Sequence, residues 1–146
     1  MRSVRIASAL LVLLLAAPSA SANINQFSGT WKNVDPETRG LTTLRIDVRG
    51  TRVRIEAWGS CHPRDCAWGQ AEGTAYAPSV SDNLAETAQA VSTIYITSFS
   101  QTILVIRPVE GQLEVEAMTK FTDQSGRASY RVVGRFAPVE AKGAAG

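Results

Sequence analysis

The chain has 146 residues, one domain's worth. Its 15 Lys and Arg against 13 Asp and Glu look slightly basic, but Arg2 and Arg5 both lie in the first 22 residues and no acid does, so the remainder balances at 13 and 13. That balance argues against a nucleic-acid partner, which needs a basic face, and a single histidine, His62, leaves few of the usual catalytic arrangements.

Residues 1–22 read as a cleavable secretion signal: Arg2 and Arg5, then the run "IASALLVLLLAA", then the small residues "ASA". The apolar run is shorter than the ~20 residues that a membrane-spanning helix requires. The mature protein is therefore expected to be secreted or periplasmic, with no membrane association after cleavage. The body of the domain is expected over residues 23–138, with 139–146 as a flexible tail.

The mature sequence is organised as short strands and tight turns. "GTWKNV" forms a first strand and "DPETRG" a polar turn. In "LTTLRIDV" and "TRVRIEAW", apolar residues alternate with charged ones at a period of two, and Arg49-Gly50 supplies a hairpin turn between them. A fourth strand covers residues 67–77. Residues 78–90 are small and polar and read as a long loop, with Asp82 or Asn83 capping a short helical turn. Four more strands follow over residues 91–99, 102–109, 112–122 and 128–138, joined by hairpin-length links. Eight sequential strands with such links predict an all-β fold, an eight-stranded antiparallel up-and-down β-barrel. An open meander or a two-sheet sandwich is the competing architecture.

Between the third and fourth strands lies "AWGSCHPRDCAWG". In an exported protein, a disulfide between Cys61 and Cys66 is the default. Facing those cysteines sets Gly59 opposite Trp68 and Trp58 opposite Gly69, each ring over a bare glycine. In that register Trp68 points into the barrel and Trp58 out, and a one-residue slip exchanges them. A metal site would have to crowd Cys61, His62, Asp65 and Cys66 into six residues, whereas zinc ligands usually come as two separated pairs. A redox pair would normally be Cys-x-x-Cys. No metal and no cofactor are expected. Glu114 and Glu116 share a strand face opposite Leu113 and Val115, which reads as a solvated exterior and not as a pair of catalytic acids. The chain is read as a non-enzyme.

Several inward positions are aromatic, aliphatic or hydroxylic: Val53, Ile55, Trp68, Thr74, Tyr76, Leu113, Val115, Thr119, Phe121, Tyr130 and Phe136. A small barrel lined this way either packs solid or holds one small molecule. Residues 91–109 are apolar on both faces, and a barrel strand has only one interior side. That excess predicts a homo-oligomer through these strands.

At "FSGTWKN" the chain resembles the calycin superfamily, in which lipocalins carry Gly-x-Trp and avidins Gly-Thr-Trp-x-Asn in the first strand. The match rests on Gly29, Thr30, Trp31 and Asn33. The resemblance implies that Trp31 plugs one end of the barrel against an arginine of the last strand, Arg135 first and Arg131 second, and that Asn33 hydrogen-bonds a ligand. With Trp68, Tyr76, Thr119 and Tyr130, Asn33 makes up the expected ligand-binding set. The expected function is a secreted barrel that binds a small, partly apolar ligand. The alternative is a protein-binding module, such as a protease inhibitor, acting through the stapled 61–66 loop.

Overall fold

The computed structural model describes residues 23–140. The signal expected over residues 1–22 and the end of the expected tail, 141–146, lie outside the described residues. Eight strands run antiparallel in sequence order: β1 (Gly29–Asn33), β2 (Leu41–Arg49), β3 (Arg52–Gly59), β4 (Cys66–Tyr76), β5 (Ala90–Ile96), β6 (Ser100–Val109), β7 (Gln112–Phe121) and β8 (Tyr130–Pro138). β1 pairs with β8 as well as with β2, so the sheet closes into a barrel. This sets aside the meander and the sandwich.

Alternation drives the closure. Leu44 and Ile46 on β2, Val53, Ile55 and Ala57 on β3, and Leu113, Val115 and Ala117 on β7 are buried. The charged residues between them face out. Burying one apolar side chain of this kind contributes roughly 1.5–3 kcal/mol, and the interior is assembled from such increments.

The two ends of the barrel differ. At one end, a short 3-10 helix, Ile24–Phe27, lies across the opening with Ile24 and Phe27 fully buried. The Trp31 indole donates a hydrogen bond to the Phe27 carbonyl at 2.9 Å. Gln26 reaches across to the Ala88 carbonyl at 2.8 Å. There the β4–β5 connection carries α1 (Leu84–Thr87), N-capped by Asn83, one of the two expected caps. At the other end lie the β1–β2 loop (34–40), the β3–β4 turn (60–65), the β5–β6 turn (97–99) and the β7–β8 loop (122–129). No helix covers that end among the described residues.

Two details of the expected packing change. Trp31 plugs one end, but with Phe27 and without an arginine. Arg135 pairs with Glu114 at 3.2 Å and Arg131 pairs with Glu116, all on the outer face. The reason is parity: Tyr130, Val132, Gly134 and Phe136 share β8's inner face, so Arg131 and Arg135 must lie on the other. The exterior reading of Glu114 and Glu116 agrees with these pairs.

The second change is the β3–β4 register. Ala57 opposes Gly69 and Trp58 opposes Ala67, so Trp68 is an extra residue in a β-bulge beside Gly69, which takes φ +90°. A bulge inverts the alternation beyond it. The inner residues of the rest of β4 are Ala71, Gly73 and Ala75, opposite Ile55 and Val53 on β3 and Val91 on β5. Thr74 and Tyr76 consequently face solvent, where the Tyr76 hydroxyl meets Ser92 Oγ at 2.8 Å.

Candidate functional site

The open end contains a cavity of about 740 Å³. Its origin lies in residue size. Toward the closed end the interior is filled by Leu44, Ile46, Val53, Leu104, Ile106 and Leu113. Toward the open end the inner positions shrink to Ala57 and Gly59 on β3, Ala117 on β7 and Gly134 on β8. Small side chains at one level of a barrel leave space that the backbone cannot close. Val132 shows this directly, since it faces inward and is still 48% exposed.

Two aromatic rings stand at the rim of this space. Trp68 lies against Gly59, where a Cβ would sit only 2.7 Å from the indole nitrogen, so glycine is required there for the ring to lie flat on the backbone. Its other neighbour is Tyr95, edge-on at 5.6 Å between centroids. Trp68 remains 37% exposed toward the cavity. Tyr130, at the start of β8, lines the opposite wall and packs against Phe121 at 6.0 Å. Arg127 lies 3.8 Å from the Phe121 ring centre and holds Asp123 at 2.6 Å, which pins the β7–β8 loop beside these rings.

Several polar groups in and beside the cavity are already engaged with the protein. Asn33 Nδ2 donates to the Leu41 carbonyl and its Oδ1 accepts from the Asp35 amide, both at 2.9 Å. It therefore ties down the β1–β2 loop, and one amide N–H remains for another acceptor. Thr119 shares a 2.9 Å hydrogen bond with Thr102. Tyr95 donates to the Ile55 carbonyl at 2.8 Å, and burial, with a smaller contribution from Glu56, pushes its phenol well above the ordinary range. Of the charged lining residues, Asp35, Glu37 and Arg39 belong to the β1–β2 loop, and Arg135 of β8 directs its guanidinium to Glu114 on the outer face.

The opening is stiffened by the Cys61–Cys66 disulfide, whose Cα atoms are 5.5 Å apart. Thr42 Oγ1 donates to Asp65 at 2.6 Å and links this turn to β2. Oxidised cysteines offer no thiolate to a metal, and no cluster of three or more potential ligands occurs among the described residues.

Of the residues expected from sequence, Asn33, Trp68, Thr119 and Tyr130 meet around this cavity, while Tyr76 lies outside it. Sequence reasoning missed the β1–β2 loop with Thr38 and Arg39, and the space-making residues Gly59, Ala117 and Gly134. A signal for part of this existed: the inward positions of β3 decline in size from Val53 and Ile55 to Ala57 and Gly59 toward the open end. Compared with known protein families, curated proteins and solved structures, the chain matches none of them.

Proposed function

We propose that this protein is an exported, non-catalytic carrier that binds one small, largely uncharged, ring-bearing molecule in the open end of its barrel. The observation that carries the reading is the cavity itself: a hollow of about 740 Å³ beside the exposed face of Trp68 in an otherwise close-packed barrel. Its size falls within the range of small-molecule sites, and aromatic walls with few polar groups suit an apolar ring. The charged lining residues are Asp35, Glu37 and Arg39 on the β1–β2 loop and Arg135, which is paired with Glu114 on the outer face; this favours a neutral body with any polar substituent directed toward the loop. The resemblance of Gly29, Thr30, Trp31 and Asn33 to the calycin first strand supports the same reading. The disulfide and the secretion signal read in residues 1–22 support export.

The test is native mass spectrometry of the exported protein, followed by tryptophan fluorescence titration with whatever mass is retained. Trp68→Ala should weaken binding at least tenfold, and Ala117→Phe, which fills the hollow, should abolish it. Binding unchanged in both variants would overturn the proposal. The stapled 61–66 turn supports a second reading, a protein-binding loop, because its tip residues His62, Pro63 and Arg64 are exposed while its base is held by Cys61–Cys66 and Asp65. Substituting His62 and Arg64 should then affect partner capture and leave the cavity variants without effect.

A further inference from the structure

The outer wall opposite the β2–β3 hairpin presents a row that the cavity does not use. Cross-strand pairing aligns Ile94 on β5, Ile103 on β6, Met118 on β7 and Arg131 on β8. Ile94 is 54% exposed, and Ile96, beside it on the same face, is 70% exposed. Extending the β4–β5 register by one outward position brings Glu72 to the other end of this row. The row therefore runs from an acid, across three apolar residues, to a base. A groove of about 470 Å³ runs between Ile94, Ile103, Met118 and Arg131.

The charges at the two ends are unequal in their partners. Glu72 makes no ion pair among the described residues, although Arg54 faces it from β3. At the far end, Glu116 accepts from both Arg131 and Arg107, so one carboxylate serves two guanidiniums and positive charge is in excess.

We infer that this row is the interface of a symmetric homodimer. A two-fold axis through Ile103 turns the row end for end. It lays Glu72 of one copy over Arg131 of the second, Ile94 over Met118, and Ile103 on Ile103. Such a patch is complementary to itself, as an isologous dimer requires. The acid meets the surplus positive charge, and Ile94 and Ile103 pack against Met118 and Ile103 of the facing copy. Two convex walls touch over a narrow strip, so the dimer is reversible and in the micromolar range.

Sedimentation velocity on the exported mature chain tests this across micromolar concentrations. The wild type should shift from one chain to two as concentration rises. Ile103→Asp should remain a single chain at every concentration while keeping its β-sheet circular dichroism. Glu72→Arg and Arg131→Glu should each raise the dimer Kd on the order of tenfold, and the two together should restore it. Should Arg131→Glu fail to fold, Glu72→Arg against wild type still reads the same contact. A wild type that stays monomeric, a dimer indifferent to Ile103→Asp, or a double variant without recovery would overturn the inference. So would a monomer that floats with phosphatidylglycerol vesicles, which would assign the row to a lipid surface.

Discussion

The two ends of this barrel are built from the same eight strands and treat their interiors in opposite ways. At the closed end, Ile24 and Phe27 seal the opening, Trp31 bonds to the chain that seals it, and Gly73 is so enclosed that a Cβ there would stand 3.1 Å from both Val53 and Ile55. At the open end, residues facing the interior remain exposed, and order comes from ties around the rim: the disulfide, Asn33 on the β1–β2 loop, and Arg127 on the β7–β8 loop. Stability is concentrated where side chains are large, and space is left at the end where they are small. Binding sites are drawn from the less tightly packed parts of a fold because an occupied core has no room for a guest.

The comparison can be broken most directly at the plug. Phe27→Ala removes a fully buried ring and should cost about 3–5 kcal/mol, read as a drop in the midpoint of urea unfolding. If the loss is no larger than at an open-end position, the closed end is not the stability centre. Replacing both cysteines, Cys61→Ser with Cys66→Ser, releases a short loop at the opposite end and should cost about 2 kcal/mol by the same measurement. Tyr95→Phe lies at the boundary between the two halves. It leaves the Ile55 carbonyl without its donor and should cost about 1 kcal/mol.

Two smaller effects depend on pH. Burial first, and Glu56 second, raise the Tyr95 phenol, so the folded state resists its ionisation. The stability linked to it is complete below the ordinary phenol range and is lost as pH rises beyond that range through the raised value. A spectrophotometric titration should show the Tyr95 phenol ionising only as the barrel opens. On the outer wall, hydrogen bonding from Arg131 holds the Glu116 carboxyl below its usual range, with Arg107 assisting. Its contribution is present above the ordinary carboxylate range and is lost as pH falls through the depressed value. Glu116→Gln should flatten the acid limb of the thermal-stability profile. That effect should be the smallest, because the pair is exposed and screened.

Much of the architecture was legible from residues alone. Period-two alternation in β2, β3 and β7 identifies the buried face, and the hairpin links dictate neighbour-to-neighbour pairing, so an up-and-down closure follows. Asn83 as a helix cap, Cys61 with Cys66, and the exterior pairing of Glu114 and Glu116 follow from equally local chemistry. The short plug helix was not legible, because "INQF" carries no periodic signal and is held by burial of Ile24 and Phe27 against distant strands.

The site was legible only in part, for a reason that Trp68 and Tyr76 make plain. Both lie on β4 at even positions, and simple alternation sends both inward. The bulge at Trp68 and Gly69 inserts one residue, so Trp68 reaches the cavity and Tyr76 reaches solvent. Gly69, at φ +90°, is the one local hint of that shift, and its effect on the alternation is decided by how β4 pairs with β3. The hollow is likewise nonlocal: Gly59, Ala117 and Gly134 are far apart in sequence and line one cavity because closure brings their strands around it. The sequence by itself determined which faces are apolar and how many strands there are, because alternation and turn chemistry are short-range properties. Only the tertiary structure decided where the barrel is solid and where it is empty, because that depends on the summed volumes of side chains from strands that meet only after the barrel closes.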